Sequence, residues 1–138
     1  MPDQMNQISH EYAAVRLDHD QLRSLYTGGT RKLWGKAGYG APFIETYRPD
    51  GTMETRYPKR PDWVFTGTWD IYDGQICHRL RGIYMGRRFC ASVFRNLKRS
   101  GKDDYEFVSF TSWGPRWLSP RLTRPPEIRK TERTKKRN

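Results

Sequence analysis

The sequence predicts a mainly β fold, either a small antiparallel β-barrel or a strongly curved meander sheet, with one short N-terminal helix. Six or seven short strand-like runs follow one another between residues 30 and 113, and short turn-forming segments separate them. This spacing favours a meander that closes into a barrel, and closure hides edge strands that otherwise promote aggregation. Aromatic residues make up 14% of the 138-residue chain, so one small core can bury a large apolar area.

The clearest helix signal lies near the N-terminus. Asp18 is a good N-cap, and Gln21 stands three residues later, as in a capping box. The pair Gly28-Gly29 supplies a left-handed stop. The pattern therefore predicts a helix from about Asp18 to Thr27. The apolar face of this helix holds Leu22, Leu25 and Tyr26.

The strand predictions rest on alternating residues and on turn signals between them. Pro49-Asp50-Gly51 and Asp73-Gly74 are typical of hairpin turns. Gly67 lies within one of the strands, where it leaves room for a close crossing or a bend. The predicted strands cover residues 30–34, 43–48, 52–57, 63–71, 75–81, 87–97 and 104–113.

Composition divides the chain into a weakly ordered segment at 1–16, the helix and barrel at 17–114, and a basic Pro- and Arg-rich tail at 115–138. The net charge is +11, and residues 116–138 carry +7 of it, with nine Lys or Arg against two Glu. Such a tail attracts polyanions without sequence preference, whereas the alternative is a solvated tail that only aids solubility. The tail cations considered for polyanion contact are Arg129, Lys130, Arg133, Lys135, Lys136 and Arg137.

The sequence predicts no transmembrane segment, because no apolar run approaches the roughly 18 residues that a spanning helix needs. The first six residues contain neither the basic region nor the apolar region of a secretory signal peptide.

No catalytic motif stands out, so the sequence predicts a protein that is not an enzyme and holds no cofactor or metal. The three histidines, of which His78 is interpreted as a surface strand residue, lack a partner at catalytic spacing. Zinc binding by Cys77, His78 and Cys90 is disfavoured, because adjacent strand residues point to opposite faces and a fourth ligand is missing. A pocket that places His78 or Asp70 against another polar group would instead favour an enzyme.

Three aromatic residues share one face of the strand at 63–71: Trp63, Phe65 and Trp69. Core packing is the ordinary explanation of such a face. A barrel with aromatic walls can also hold a small apolar ligand, so these residues are the candidate ligand pocket.

Arginines alternate with apolar and aromatic residues in the hairpin at 79–88. Arginine beside flat aromatic rings is typical of single-stranded nucleic-acid binding, in which phosphate contacts combine with base stacking. A solvated hairpin with one buried face has the same composition. The candidate contacts are Arg79, Arg81, Arg87 and Arg88.

The two cysteines, Cys77 and Cys90, lie on neighbouring predicted strands at similar distances from the turn between them. Residues in such positions face each other within disulfide range. A disulfide and a pair of buried reduced thiols both remain open on this spacing.

Several short motifs resemble a known family. They include Gly67-Thr68-Trp69-Asp70, the run Asp73 to Cys77, and the second cysteine at Cys90. Their order resembles the small lipocalin-like β-barrel domains of unknown function found in exported proteins of proteobacteria, which are distantly similar to the barrels of bacterial metalloprotease inhibitors. The resemblance covers roughly residues 17–113. It implies a barrel, a Cys77–Cys90 disulfide and a periplasmic or secreted location, and it implies no activity.

We therefore expect a non-catalytic binding or interaction domain of lipocalin-like type, whose partner is a protein or a small apolar ligand. The alternative is a cytoplasmic basic barrel that binds nucleic acid through the hairpin at 79–88 and the tail.

Overall fold

The structure is a computed structural model that describes residues 16–38, 40–82, 84–97, 105–111 and 114–120. It confirms the predicted fold class: one antiparallel sheet of nine strands curls into a nearly closed barrel that carries a single α-helix in its described part. Helix α1 spans His19–Tyr26. The strands are β1 (Arg31–Ala37), β2 (Pro42–Tyr47), β3 (Thr52–Tyr57), β4 (Arg60–Tyr72), β5 (Gln75–Leu80), β6 (Arg88–Ala91), β7 (Val93–Arg95), β8 (Phe107–Thr111) and β9 (Gly114–Ser119).

The strand order across the sheet is β6-β5-β4-β3-β2-β1-β9-β8-β7, with every neighbouring pair antiparallel. The two outermost strands, β6 and β7, are consecutive in the chain and only Ser92 separates them. On the far side of β7, the Leu17 amide donates to the Val93 carbonyl at 2.8 Å. The segment before the helix thus covers part of the edge that β7 would otherwise expose.

Helix α1 begins as the capping box predicts. The Gln21 amide donates to the Asp18 carboxylate at 2.8 Å, and the Asp18 amide donates to the Gln21 side chain at 2.9 Å. The helix buries Leu22 and Tyr26 in the main core, and Leu25 packs beside them. The amphipathic pattern and the cap therefore place the helix against one end of the barrel.

Two local predictions about glycine and turns are confirmed. Asp73 and Gly74 have φ angles of 53° and 70°, the left-handed values that a tight hairpin turn requires. Gly67 lies in close contact with the β5 backbone, since a Cβ atom there would lie 1.9 Å from the Arg79 carbonyl oxygen. This position therefore excludes every residue with a side chain.

The barrel has two different ends. The β2–β3 and β4–β5 turns lie at the end that α1 covers, where the Tyr26 and Tyr47 rings meet edge to face at 4.7 Å. The β1–β2, β3–β4 and β5–β6 turns lie at the opposite end. We call the part of that end formed by residues 57–64, 79–82 and 84–87 the open rim.

Several predicted boundaries need correction: β4 is longer than predicted, running from Arg60 to Tyr72, and β8 begins only at Phe107. Strand β1 runs on to Ala37, and the run at 87–97 is two strands with a break at Ser92. Residues 115–119, predicted to begin the basic tail, belong instead to strand β9, which pairs with both β1 and β8. The sequence does not predict this strand, because a Pro- and Arg-rich composition is typical of a tail. It does not show that Arg116 and Leu118 face inward. Residues 1–15 and 121–138, with the predicted weakly ordered segment and tail cations, lie outside the described residues, as does His10.

Candidate functional site

Four polar side chains meet inside the barrel: Glu45, Tyr47, His78 and Arg116. The Tyr47 hydroxyl donates to Glu45 Oε1 at 2.8 Å and lies 2.7 Å from His78 Nε2. The other carboxylate oxygen of Glu45 accepts from the Arg116 guanidinium at 2.7 Å. We call these four residues the polar cluster. They come from strands β2, β5 and β9, so only the closed sheet brings them together.

The hydrogen bonds fix where the protons lie. Glu45 is a carboxylate, which can only accept, so the single Tyr47 hydroxyl proton points to Glu45. His78 Nε2 must then carry the proton that it donates to Tyr47. This assignment leaves His78 Nδ1 as a bare acceptor, and it has no hydrogen-bond partner among the described residues.

Burial and the neighbouring charges shift the pKa of each member. Burial alone would raise the pKa of Glu45, but the Arg116 guanidinium and then His78 lower it below its usual value. Burial lowers the pKa of His78 to about 4, against a smaller opposing effect of Glu45. Burial, reinforced by the charge of Glu45, raises the pKa of Tyr47 well above its usual value. At neutral pH the cluster therefore holds one ion pair, a neutral tyrosine and a neutral histidine.

The strand register explains why these polar residues point inward. In β2 the inward side chains are Phe43, Glu45 and Tyr47, and Glu45 is only 2% exposed. In β5 the inward side chains include His78, which is 4% exposed. The prediction of a surface His78 is therefore wrong. The signal that could have found it is the alternation of Ile76, His78 and Leu80 on one strand face.

A cavity of about 40 Å³ lies beside the polar cluster, toward the open rim. Its walls include both residues of the Glu45–Arg116 ion pair and Thr55, whose hydroxyl oxygen is buried without a hydrogen-bond partner among the described residues. The remaining walls are mainly apolar: Tyr57, Phe65, Leu80 and Phe89. The volume is that of about three water molecules, far below a drug-sized ligand pocket.

The aromatic residues predicted to form a ligand pocket have different surroundings. Trp69 packs into the main core, and its indole donates to the Arg48 carbonyl at 3.0 Å. Phe65 packs on the same core and lines the small cavity. Trp63 is 39% exposed at the open rim, where its ring meets Tyr57 and lies under the Arg60 guanidinium. The three residues therefore share no single pocket.

Cys77 and Cys90 form a disulfide, as the resemblance implied. They face each other in the register of β5 and β6, on the outer face of the barrel. This arrangement is compatible with an oxidising compartment. On the same face, Asp70 and Arg88 form an ion pair at 2.6 Å, and the Arg88 guanidinium covers the ring of Tyr72 at 5.1 Å.

The arginines of the predicted nucleic-acid hairpin fall into two groups. Arg88 is held by Asp70. Arg79, Arg81 and Arg87 are exposed, and no carboxylate of the described chain lies within ion-pair distance of them. Met85, at the tip of the same hairpin, is 88% exposed.

In the described ranges, no group of three or more His, Cys, Asp or Glu residues could hold a metal ion. None of the helices among the described residues is long and apolar enough to cross a membrane. Comparisons with models of protein families, with curated proteins and with solved structures find no match for this chain.

Proposed function

We propose that this protein is a non-catalytic binding module that docks an acidic segment of a partner protein on its open rim. The observation that supports this most directly is the composition of the rim, where arginines without a neutralising carboxylate among the described residues lie beside large exposed apolar side chains. The barrel interior behind this rim is nearly filled.

The interior argues against two other functions. The polar cluster meets the condition that would favour an enzyme, since His78 lies against Tyr47. A cavity of about 40 Å³ next to the cluster, however, leaves no room for a substrate of ordinary size. Because Phe65 and Trp69 pack into the core, the interior also offers little space for a small apolar ligand of the lipocalin kind.

The open rim has the composition of a protein-binding surface. Its exposed apolar side chains are Trp63, Val64 and Met85. Exposed cations surround them: Lys59, Arg60, Arg79, Arg81 and Arg87, against one exposed carboxylate, Asp62. Aromatic residues, methionine and arginine are the types enriched at interfaces and at their energetic hot spots.

The positive charge of the rim favours an acidic partner. Five cations against one carboxylate attract an acidic surface and speed its encounter with the rim. The apolar side chains between them favour a partner that also carries aromatic or aliphatic residues. The Cys77–Cys90 disulfide supports an exported location for the protein. The resemblance to lipocalin-like barrels of exported proteins supports the same location.

The test uses a short labelled peptide rich in Asp and Glu with two aromatic residues, titrated by fluorescence anisotropy. We expect saturable binding that the double substitution Arg79→Glu/Arg81→Glu weakens by about tenfold or more, equivalent to about 1.4 kcal/mol. The control is Arg23→Glu/Lys32→Glu, which makes the same charge change at two exposed residues. They lie in α1 and in β1, at the end of the barrel that α1 covers. An equal loss of peptide affinity in both variants would show that only the net charge of the protein matters, and it would contradict a binding site at the rim.

Nucleic-acid binding through the hairpin at 79–88 is the second candidate, supported by Arg79, Arg81 and Arg87. No carboxylate of the described residues neutralises these three side chains, and Arg79 donates only to the Gly86 carbonyl at 3.2 Å. It is separated by titrating single-stranded oligonucleotides at two salt concentrations against the full chain and a 1–120 variant. The cut follows Pro120, since an earlier one would remove β9. Oligonucleotide binding that survives in 1–120 and exceeds peptide binding would favour this candidate. Binding by the full chain alone would assign it to the tail.

A further inference from the structure

We propose that the cavity beside the polar cluster is a binding site for a small carboxamide group. The group would come from a free amide or from the side-chain tip of an Asn or Gln on a docked partner, and the second source rests on the function proposed above. The proposal is carried by three observations: a small cavity at the polar cluster, a largely buried ion pair in its wall, and a buried hydroxyl without a hydrogen-bond partner among the described residues.

The cavity wall presents donors and acceptors side by side. The Arg116 guanidinium has five N–H donors, of which one hydrogen bond, to Glu45, is made within the described structure. The Glu45 carboxylate accepts from Arg116 and from Tyr47, and each of its oxygens retains a lone pair. A ligand that satisfies this wall needs an acceptor to face Arg116 and a donor to face Glu45.

The charges of the wall exclude ionic ligands. Arg116 and Glu45 neutralise each other, so the site has no net charge to attract an ion. A carboxylate ligand would bring a second negative charge beside Glu45, and an ammonium ligand would bring a second positive charge beside Arg116. A carboxamide is neutral and planar, and it carries its acceptor oxygen and its N–H donors on one carbon.

The orphan hydroxyl of Thr55 points to the same class of ligand. Thr55 lines the cavity and is 3% exposed, and its oxygen has no hydrogen-bond partner in the described residues. Buried polar atoms are nearly always satisfied, so an unsatisfied one marks a place for an occupant. A hydroxyl both donates and accepts, so it can bond either the oxygen or the nitrogen of an amide.

Size and access limit the ligand. About 40 Å³ holds about three water molecules, which corresponds to an organic group of about three or four non-hydrogen atoms. The side chain of Arg116 is 20% exposed, so the polar wall is in contact with solvent there. The apolar walls at Phe65, Leu80 and Phe89 suit the methyl or methylene carbon next to the amide.

The experiment is a protein-observed NMR titration with acetamide, using acetate, methylammonium and acetone as matched probes. We expect saturable shifts at Thr55 and Arg116 with acetamide, at a Kd on the order of a millimolar, which lies within the ceiling that so few atoms allow. The three other probes should bind at least about tenfold more weakly. Similar binding of acetate or acetone, or no saturable shift with acetamide, would overturn the proposal.

Two variants locate the site. Thr55→Val removes the hydroxyl at nearly constant volume and should weaken acetamide binding by about fivefold or more. Thr66→Val makes the same change on an exposed residue of β4 and should leave binding unchanged. Equal binding by the two variants would overturn the assignment. Should Thr55→Val not fold, the comparison of the four probes on the unmodified protein still decides.

The source of the amide is decided by tripeptides with free termini, Gly-Gln-Gly and Gly-Met-Gly. Binding of acetamide together with Gly-Gln-Gly, but not Gly-Met-Gly, assigns the site to a side chain of a partner. Binding of acetamide alone assigns it to a free amide. Equal binding of both tripeptides would show recognition of the peptide backbone and would contradict the carboxamide site. If the acidic peptide does not bind the rim but acetamide still binds the cavity, the partner source loses its support and the free-amide source remains.

Discussion

The Tyr47 hydroxyl lies 2.7 Å from His78 Nε2 and joins β2 to β5 across the inside of the barrel. The bond fixes the tautomer with its proton on Nε2, because Tyr47 donates its own hydrogen bond to Glu45, and burial keeps the ring neutral by lowering the pKa of His78. Protonation of His78 would place a second N–H and a positive charge in a buried site. The stability of the barrel is therefore tied to the protonation of one interior residue.

Acidification should destabilise the protein in a window set by His78. The folded pKa is about 4, below the ordinary value of 6.5, so the unfolded state binds the proton first and stability falls as the pH drops from about 6.5 toward 4. Integrated between pH 7 and pH 5, the loss is about 2 kcal/mol. Urea unfolding at a series of pH values measures it.

The variant His78→Phe isolates this contribution. It removes the titrating group and keeps a flat ring beside Phe89, on which His78 stacks at 5.1 Å. We expect the variant to be less stable at pH 7, because Tyr47 loses a partner, yet to lose far less stability between pH 7 and pH 5. A slope equal to that of the unmodified protein would show that other groups control the acid response.

The Glu45–Arg116 ion pair should behave as a coupled unit. Arg116→Met leaves the Glu45 carboxylate buried without its cation, which should cost about 3–5 kcal/mol in the free energy of unfolding. The double variant Glu45→Gln/Arg116→Met removes both charges, keeps an acceptor for Tyr47, and should recover most of that loss. Chemical unfolding of the single and double variants measures the coupling energy.

The result that would contradict this coupling is additivity. If Glu45→Gln and Arg116→Met each destabilise the protein and their losses add in the double variant, the two side chains do not depend on each other. The matched control is the pair Glu54–Arg56, joined at 2.6 Å on the outer face of β3, in which the Arg56 side chain is 57% exposed. Exposed pairs contribute at most about 1 kcal/mol, so that control should show little coupling.

Local sequence signals predicted the elements that local physics controls. The capping box at Asp18 and the turn at Asp73-Gly74 each depend on residues close in the chain, and the structure confirms both. The curled sheet also followed from the spacing of strands and turns. The disulfide depended on a family resemblance, since the spacing of Cys77 and Cys90 left reduced thiols open.

The polar cluster could not be predicted, because it depends on contacts between residues far apart in the chain. Arg116 and Glu45 are 71 positions apart, and each looks like a surface residue in isolation. The charge of Arg116 can be buried inside the barrel only because Glu45 compensates it. The segment β9 forms a strand only because it pairs with β1 on one side and β8 on the other. From the sequence alone, in which Glu45 and the strands β1 and β8 are not known to be neighbours, Pro115 and Arg116 are typical of a tail.

Reduction of the Cys77–Cys90 disulfide should lower the free energy of unfolding by about 3 kcal/mol. The bond closes a loop with a sequence separation of 13, and the chain-entropy model gives this value for a loop of that length. Thermal unfolding of Cys77→Ala/Cys90→Ala measures the loss. An equal stability with and without the bond would contradict the chain-entropy account of this disulfide.

Strand β9 should be essential for folding, whereas the chain beyond Pro120 should not. Leu118 is 2% exposed and faces both β1 and β8, and Arg116 supplies the cation of the polar cluster. A 1–113 variant would lose both residues and would leave β1 and β8 as open edges, so we expect it to unfold without a cooperative transition. A 1–120 variant should melt like the full chain. Circular dichroism with thermal melting distinguishes them, and a cooperative melt of 1–113 would show that the barrel closes without β9.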